Sequence, residues 1–311
     1  MTELDAINND KILILKDDYN SFEKFYLEEL KDIYSNTSSY YISNCKIRKI
    51  WTHCALPFED IWYGHWKYNL AAFETIIVFD SIHSSKMLEY IHNHSNGRLI
   101  YWHWNPIKEQ GEIDLINNTR NICEHWTFND MDAQKYHMKL NNQFFFFRDF
   151  NSSQKSRSAF FVGLDKGRYE KIVQMANLLT LNGVNADFHI IEPSKKGKFY
   201  ERHFMEYTKV LKKIEESQFM VEIVQKGQNG LTARALEAMF SGTKLISNNK
   251  YLKNCIFYNK NNIYILDDKE NFNQFIRSDF VAIETKLLLP YSAQGWMKNF
   301  IANDIENPIE E

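Results

Sequence analysis

The sequence predicts an α/β protein made of two doubly wound halves in succession, and three observations carry that prediction. Short apolar, β-branched runs alternate with stretches of helical spacing along nearly the whole chain. The alternation pauses once near the midpoint, at the polar stretch Arg148 to Arg157 (RDFNSSQKSR), and then restarts. The chain has 311 residues, more than one hydrophobic core usually spans, so two domains of roughly 150 residues are expected. The boundaries predicted are 1–150, 151–290 and a closing segment, 291–311.

In the first half, Lys11 to Leu15 (KILIL) reads as a strand and Phe22 to Ile33 as a helix. Thr75 to Phe79 (TIIVF) is a short buried parallel strand that ends in Asp80-Ser81. Ser85 to His92 reads as helix, Arg98 to Trp102 (RLIYW) and Glu124 to Phe128 (EHWTF) as strands, and Asp130 to His137 as a helix capped by Asn129 or Asp130. In the second half, Ala159 to Val162 is a strand and Gly163 to Gly167 a turn. Tyr169 to Leu181 carries Ile172, Met175, Ala176 and Leu179 at helical spacing, and Asn182-Gly183 stops it. Strands at 186–191, 219–224, 244–247 and 263–266 then alternate with helices at 204–214, 231–240 and 271–275. Pro290 suits the first turn of a last helix, 291–301.

Composition narrows the function classes. The 44% hydrophobic content is too high for a disordered chain. A net charge of −3 leaves no basic excess to neutralise a run of phosphates, which argues against a nucleic-acid partner. The four cysteines, Cys45, Cys54, Cys123 and Cys255, lack metal or redox spacing and read as reduced thiols. The first nine residues are polar and acidic, unlike a signal peptide, and no apolar run approaches the ~20 residues that span a bilayer. A cytoplasmic protein is expected, compatible with peripheral contact at the inner face of the plasma membrane. The run Phe144 to Phe147 is the candidate for such contact, with covering of the first sheet as its simpler role. Trp51, Trp62, Tyr63, Trp66 and Tyr68 read as packed core with half-exposed edges, or as an acceptor platform.

Ligands of open α/β sheets bind beyond the carboxyl ends of the strands. Two such places stand out. In Val162 to Arg168 (VGLDKGR), Gly163 permits close approach, and Lys166 and Arg168 can meet a diphosphate; a solvated basic turn is the plainer reading. In Gln225 to Gly242 (QKGQNGLTARALEAMFSG), a loop with Gly227, Asn229 and Gly230 leads through Leu231 and Thr232 into a helix. Its amides and positive terminus suit an anion. Glu237 lies about 9 Å further along, at 1.5 Å per residue, where a carboxylate can accept from ribose hydroxyls; on pattern alone it is a surface acid.

The segment Gly230 to Asn248 (GLTARALEAMFSGTKLISN) resembles the C-domain signature of GT-B glycosyltransferases, and Gly163 to Arg168 resembles their basic "VG-L---KG" turn. The resemblance covers residues 158–265 and implies two Rossmann-like domains facing across a cleft, with the final helix crossing back to the first. It implies a nucleoside diphosphate sugar donor, with Lys166 and Arg168 on the diphosphate and Glu237 on the ribose. Many retaining members carry a glutamate where this chain has Asn229, which leaves the sugar and the stereochemistry open. Tyr101 to Pro106 and Glu124 to Asp132 are similar to bacterial lipopolysaccharide and capsule transferases. The implied activity is transfer of a hexose or deoxyhexose to a glycan or lipid-linked glycan acceptor, in O-antigen, lipopolysaccharide or capsule synthesis. For inverting transfer Asp80, directly after a buried strand, is the candidate base, with His65, His83 and His103 as alternatives. His92 and His94 lack further ligands at zinc spacing, and no Asp-x-Asp pair follows a strand in the way metal-dependent GT-A transferases require, so neither a metal nor a cofactor is expected. A glycerol-phosphate-type transferase and a non-catalytic scaffold of the same fold are the rival readings.

Overall fold

The computed structural model describes residues 9–43, 45–54, 56–81, 85–148, 155–225, 230–266 and 272–302. The chain divides into two compact units, 1–141 and 142–311. The division falls just before the polar stretch 148–157, of which 149–154 lie outside the described residues.

Unit 1 runs β1 (Ile12–Lys16), α1 (Ser21–Ile33), β2 (Thr37–Ser39), α2 (Lys46–His53), β3 (Thr75–Phe79), α3 (Lys86–His94), β4 (Arg98–His103), α4 (Gln110–Thr119), β5 (Glu124–Thr127), α5 (Asp130–Tyr136) and β6 (Lys139–Leu140). Three 3-10 turns, Glu59–Trp62, His65–Tyr68 and Leu70–Ala72, fill the path from α2 to β3. The sheet order is β2-β1-β3-β4-β5-β6, and every pairing is parallel. Strands β1, β3 and β4 read as unbroken apolar runs because a parallel sheet is covered on both faces; all five residues of β1 are buried, Lys16 included. The ends of α1 and α5 are fixed by side chains: Asn20 accepts from the Glu23 amide at 2.9 Å, and Asn129 from the Met131 amide at 3.0 Å.

Unit 2 runs β7 (Ser156–Leu164), α6 (Tyr169–Leu181), β8 (Asn185–Ile191), β9 (Tyr200–Glu201), α7 (Tyr207–Glu216), β10 (Ser217–Glu222), α8 (Ala233–Phe240), β11 (Lys244–Ser247), β12 (Ile263–Ile265), α9 (Phe272–Arg277), α10 (Thr285–Leu288) and α11 (Ala293–Ala302). Its order, β12-β11-β10-β7-β8-β9, is again wholly parallel. Ile172, Met175, Ala176 and Leu179 of α6 form one core with Phe161, Phe188, Phe219 and Ile246 of the sheet, as their helical spacing requires. Gly183, at φ 71°, ends α6 in the left-handed region that only glycine enters without strain.

The structure corrects several expectations. Gly163 belongs to β7, which continues to Leu164, so the turn is Asp165 to Gly167. Pro290 sits in a 3-10 turn, Leu289–Tyr291, and α11 starts at Ala293, because Ser292 is extended and the Ser292 hydroxyl takes the Gly295 amide. Phe144, Phe145 and Phe146 are buried in unit 2, where the first two pack on its helices, with Phe144 4.5 Å from Trp296 of α11 and Phe145 5.8 Å from Phe240 of α8. Phe147, the last of the run, is 47% exposed. The tryptophan-rich segment takes the plainer reading: Tyr63 and Trp66 are buried and stacked at 5.4 Å, while Tyr68 is exposed. Helix α4 escaped notice because its polar sequence buries only Leu115, Ile116 and Thr119; a capping box between Glu109 and Glu112 starts it.

Candidate active site

Each sheet has one place where neighbouring strands continue in opposite directions along the sheet. The chain leaves such strands for helices on opposite faces, which opens a crevice at their carboxyl ends. In unit 2 that place lies between β7 and β10, and in unit 1 between β1 and β3.

At the unit 2 crevice, Asp165 organises the turn after β7. Its buried carboxylate accepts from the Arg168 and Tyr169 amides, both at 3.1 Å, and so caps α6. It also accepts from Lys195 Nζ at 2.6 Å and the Tyr200 hydroxyl at 2.9 Å. Burial works to raise its pKa, but these donors hold the carboxyl below the usual range. The turn is closed by Lys166 at φ 46° and Gly167 at φ 74°. Lys166 is exposed.

Arg168 folds back over the turn. It donates to the carbonyls of Leu164 (2.6 Å), Asp165 (3.2 Å) and, across the crevice at the end of β10, Ile223. Three of its five N–H groups are thereby fixed on main chain, and the guanidinium is a positioned charge rather than a mobile one. A second guanidinium joins it. Arg234, in the first turn of α8, donates to the Val162 carbonyl at 2.8 Å. A methyl group added to Gly163 would lie 3.4 Å from Arg234 Nη2 and 3.6 Å from Arg168 Nη2, so both cations converge on this glycine. Burial, then the Arg234 charge, pull Arg168 down to about 10.

Both cations are placed against their own electrostatics. A positive side chain in the first turn of a helix opposes the helix dipole, and two adjacent guanidiniums repel. The nearby carboxylates are engaged elsewhere. Glu222, fully buried, takes the Thr232 hydroxyl and, at 2.5 Å, that of Ser247. Glu237, also buried, accepts from Tyr207 of α7 at 2.6 Å, and burial raises its pKa. The placement makes sense with an anion between the guanidiniums and the α8 amides.

The remaining donor-side expectations are placed as follows. Gly163, Arg168 and Arg234 come together. Gly230, at φ 112°, and buried Leu231 shape the approach to α8, and Asn249 holds the Gly230 carbonyl at 2.9 Å. Thr232 caps α8 through the Ala235 amide at 3.2 Å, and its hydroxyl donates to Glu222. Glu237 is turned towards Tyr207. Gly227 and Asn229 lie outside the described residues. The sequence pattern does not distinguish Arg234 or Asp165 from their neighbours. Arg234 is told from an ordinary helix cation only by its nearness to Gly163, and no local pattern reveals that.

At the unit 1 crevice, Lys16 ends β1 fully buried. Its ammonium pairs with Glu23 of α1 and lies 4.2 Å from the Trp104 ring centroid. Burial pulls its pKa down, while Asp17 and Asp80 act to hold it up. Asp80 follows β3 and accepts from the Asn105 amide at 2.9 Å and from Asn105 Nδ2 at 3.3 Å. It keeps a partly exposed rim, yet desolvation pushes it up to about 7 against the Asn105 bonds and the Lys16 charge. Asp17 is raised by burial too, against a bond from Ser81. A carboxyl near 7 at a strand end is poised to exchange protons at neutral pH. Of the alternatives, His103 is buried against His125 at 2.9 Å, and burial holds it well below its usual value. His65 is exposed on a 3-10 turn, and His83 lies outside the described residues. Among the described residues, no group of three or more His, Cys, Asp or Glu side chains is arranged to hold a metal ion.

No known family model matches the chain, and no curated protein matches it in sequence. Solved structures do match in fold. HepE of Anabaena, in complex with UDP-glucose, aligns with a TM-score of 0.56 over 94% of this chain and 98% of its own, at 7% identity. The β-glucosyltransferase of phage T4 aligns at 0.54 over 95% and 99%, at 12% identity. An α-glucosyltransferase in complex with UDP and a 13-mer DNA aligns at 0.56 over 95% and 99%, at 11% identity. With two parallel six-stranded sheets carrying helices, and these structures matching over nearly their whole length, the chain has the GT-B fold.

Proposed function

We propose that the chain is a glycosyltransferase that moves a sugar from a nucleoside diphosphate sugar to an acceptor hydroxyl. The observation that carries this reading is the convergence of Arg168 and Arg234 on Gly163, at the crevice of unit 2 and the start of α8. A diphosphate fits that place chemically. The guanidiniums and the helix amides neutralise it in the bound donor. They stabilise it further as charge builds on the leaving group, with no metal required. Lys166, exposed on the same turn, adds a third cation. Glu237 stays assigned to the donor ribose, and the loop at Gly227, Asn229 and Gly230 to the diphosphate.

Asp80 is the base of this reading. In an inverting displacement it takes the acceptor proton as the new bond to the anomeric carbon forms and the bond to the diphosphate oxygen breaks. A glycan or lipid-linked glycan of bacterial polysaccharide synthesis is the acceptor proposed, with a hexose or deoxyhexose as the transferred sugar, at the cytoplasmic side of the membrane. The DNA seen with one fold neighbour does not shift that choice, because this chain has a net charge of −3.

The first test is thermal unfolding of the protein with UDP, GDP, CDP, TDP and their sugars. A ligand that binds only the folded state, at 100 times its Kd, adds about 2.7 kcal/mol. A shift with one nucleotide family that Arg234→Ala removes supports the reading. A folded protein that shifts with none of them sinks it, in favour of a non-catalytic scaffold.

A further inference from the structure

Helix α2 is turned inside out relative to an ordinary surface helix. Its buried charged residue is Arg48, whose Nε donates to the Ser43 carbonyl at 3.1 Å and whose guanidinium lies 4.2 Å from the Tyr41 ring centroid. Its isoleucines face solvent: Ile47 is 65% exposed and Ile50 61%. At 3.6 residues per turn, Ile47 and Ile50 form one stripe of the outer face. Lys46, Lys49 and His53 form the stripe beside it. The apolar surface continues off the helix, through Ile42 before it and Leu56 and Phe58 after it, with Phe58 74% exposed.

The platform is held firmly. Cys45 Sγ caps α2 on the Arg48 amide at 3.4 Å, the Trp51 indole donates to the Pro57 carbonyl at 2.8 Å, and Lys86 donates to the Leu56 carbonyl at 3.1 Å. Packing against unit 1 therefore fixes the isoleucines outward. Residues 42–58 contain three Lys or Arg, one His and no Asp or Glu. Neither Lys46 nor Lys49 is in an ion pair with a described residue.

We infer that this face of unit 1 docks on an anionic lipid bilayer, with Ile47, Ile50 and Phe58 entering the headgroup boundary and Lys46 and Lys49 on the lipid phosphates. A cationic stripe alone would suit any polyanion. Large apolar side chains beside it are useless to a nucleic-acid backbone but gain from acyl chains, and an apolar stripe flanked by lysines is the composition of an interfacial helix. No helix among the described residues is long and apolar enough to cross a membrane, so the contact is peripheral. The inference is independent of the donor site, which lies in unit 2.

The test is flotation of the full chain with vesicles of equal parts phosphatidylglycerol and phosphatidylcholine, and with phosphatidylcholine alone. The protein should float with the first and not the second. Lys46→Gln with Lys49→Gln should weaken binding about thirtyfold, at roughly fivefold per lysine near an anionic surface. Ile47→Glu with Ile50→Glu should abolish it, while the far-ultraviolet spectrum, melting temperature and nucleotide response stay unchanged, since both side chains already face water. Absence of flotation, or flotation indifferent to the isoleucine pair, overturns the inference. So does self-association or duplex DNA binding, in the absence of lipid binding, that the same substitutions remove.

Discussion

The two units share a parallel six-stranded plan and use its carboxyl edge in opposite ways. In unit 2 the crevice gathers cations: Arg168 and Arg234 meet at Gly163, while Asp165, Glu222 and Glu237 are each bonded to protein donors. In unit 1 it gathers carboxylates around one buried cation, with Asp17 and Asp80 near Lys16 and Glu23 paired to it. Guanidiniums keep their charge at any working pH, so the first edge is a fixed electrostatic cradle. Desolvated Asp80, pushed up to about 7, changes charge near neutrality, so the second edge can exchange a proton. The fold supplies the place; in the proposed function, the charge type placed there separates binding a departing diphosphate from taking a proton.

The largest effect should come from the proton-exchanging edge. Asp80→Asn should lower the transfer rate by about 10²- to 10⁴-fold while leaving the nucleotide-induced melting shift intact. With Asp80 near 7, the wild-type kcat/KM should rise about tenfold per pH unit below that value and level off above it. The same shift has a stability consequence of opposite sense. The unfolded chain releases this proton near 3.8 and the folded one near 7, so folded stability falls as pH rises across that window. The Asp80→Asn variant should lack that part of the fall in denaturant midpoints measured from pH 4 to 7. An identical pH profile in the variant would remove Asp80 from its role.

Lys16→Met comes next and is read as stability. It leaves Glu23 buried without its partner and removes the ammonium over Trp104, at a cost of about 3 kcal/mol in chemical denaturation. It also removes a cation that lowers the Asp80 pKa, so the rising limb of the activity profile should move to higher pH. A profile that stays in place would mean that Lys16 serves the fold and not the carboxylates.

How much of this contrast the sequence reveals depends on the range over which each feature is set. Strands β3 and β7 are legible because each carries an apolar run, Ile76 to Phe79 and Ala159 to Phe161, where both faces are covered, and α6 because one of its faces is apolar. Asp80 is legible because a carboxylate directly after such a strand is local information. Helix α2 is not, because it exposes isoleucines and buries an arginine, the reverse of the pattern that signals a surface helix. Nor are Arg234 and Lys16. An arginine in a first helical turn and a lysine ending an apolar run look ordinary until β7 and β10, or β1 and β3, are set side by side.

On the cationic edge, Arg234→Ala should weaken nucleotide binding by about 2 kcal/mol, roughly thirtyfold in Kd by calorimetry, the worth of a charge-assisted contact to a phosphate. It should leave protein stability unchanged or slightly raised, because the substitution also removes a cation from a helix start and from the side of Arg168. Loss of stability with unchanged affinity would reverse the assignment and make Arg234 a brace for the Val162 carbonyl.

The smallest effect separates the cradle from its supports. Thr232 takes the Ala235 amide and gives its hydroxyl proton to Glu222, so its side chain has no proton left for a ligand phosphate. Thr232→Ala should therefore cost about 1 kcal/mol of stability, the usual loss of an N-cap, and move nucleotide affinity little. Thr232→Ser keeps both bonds and should restore stability. An affinity loss as large as that of Arg234→Ala, with normal stability, would instead place the Thr232 hydroxyl on the diphosphate. The cradle of unit 2 would then extend from its two guanidiniums into the cap of α8.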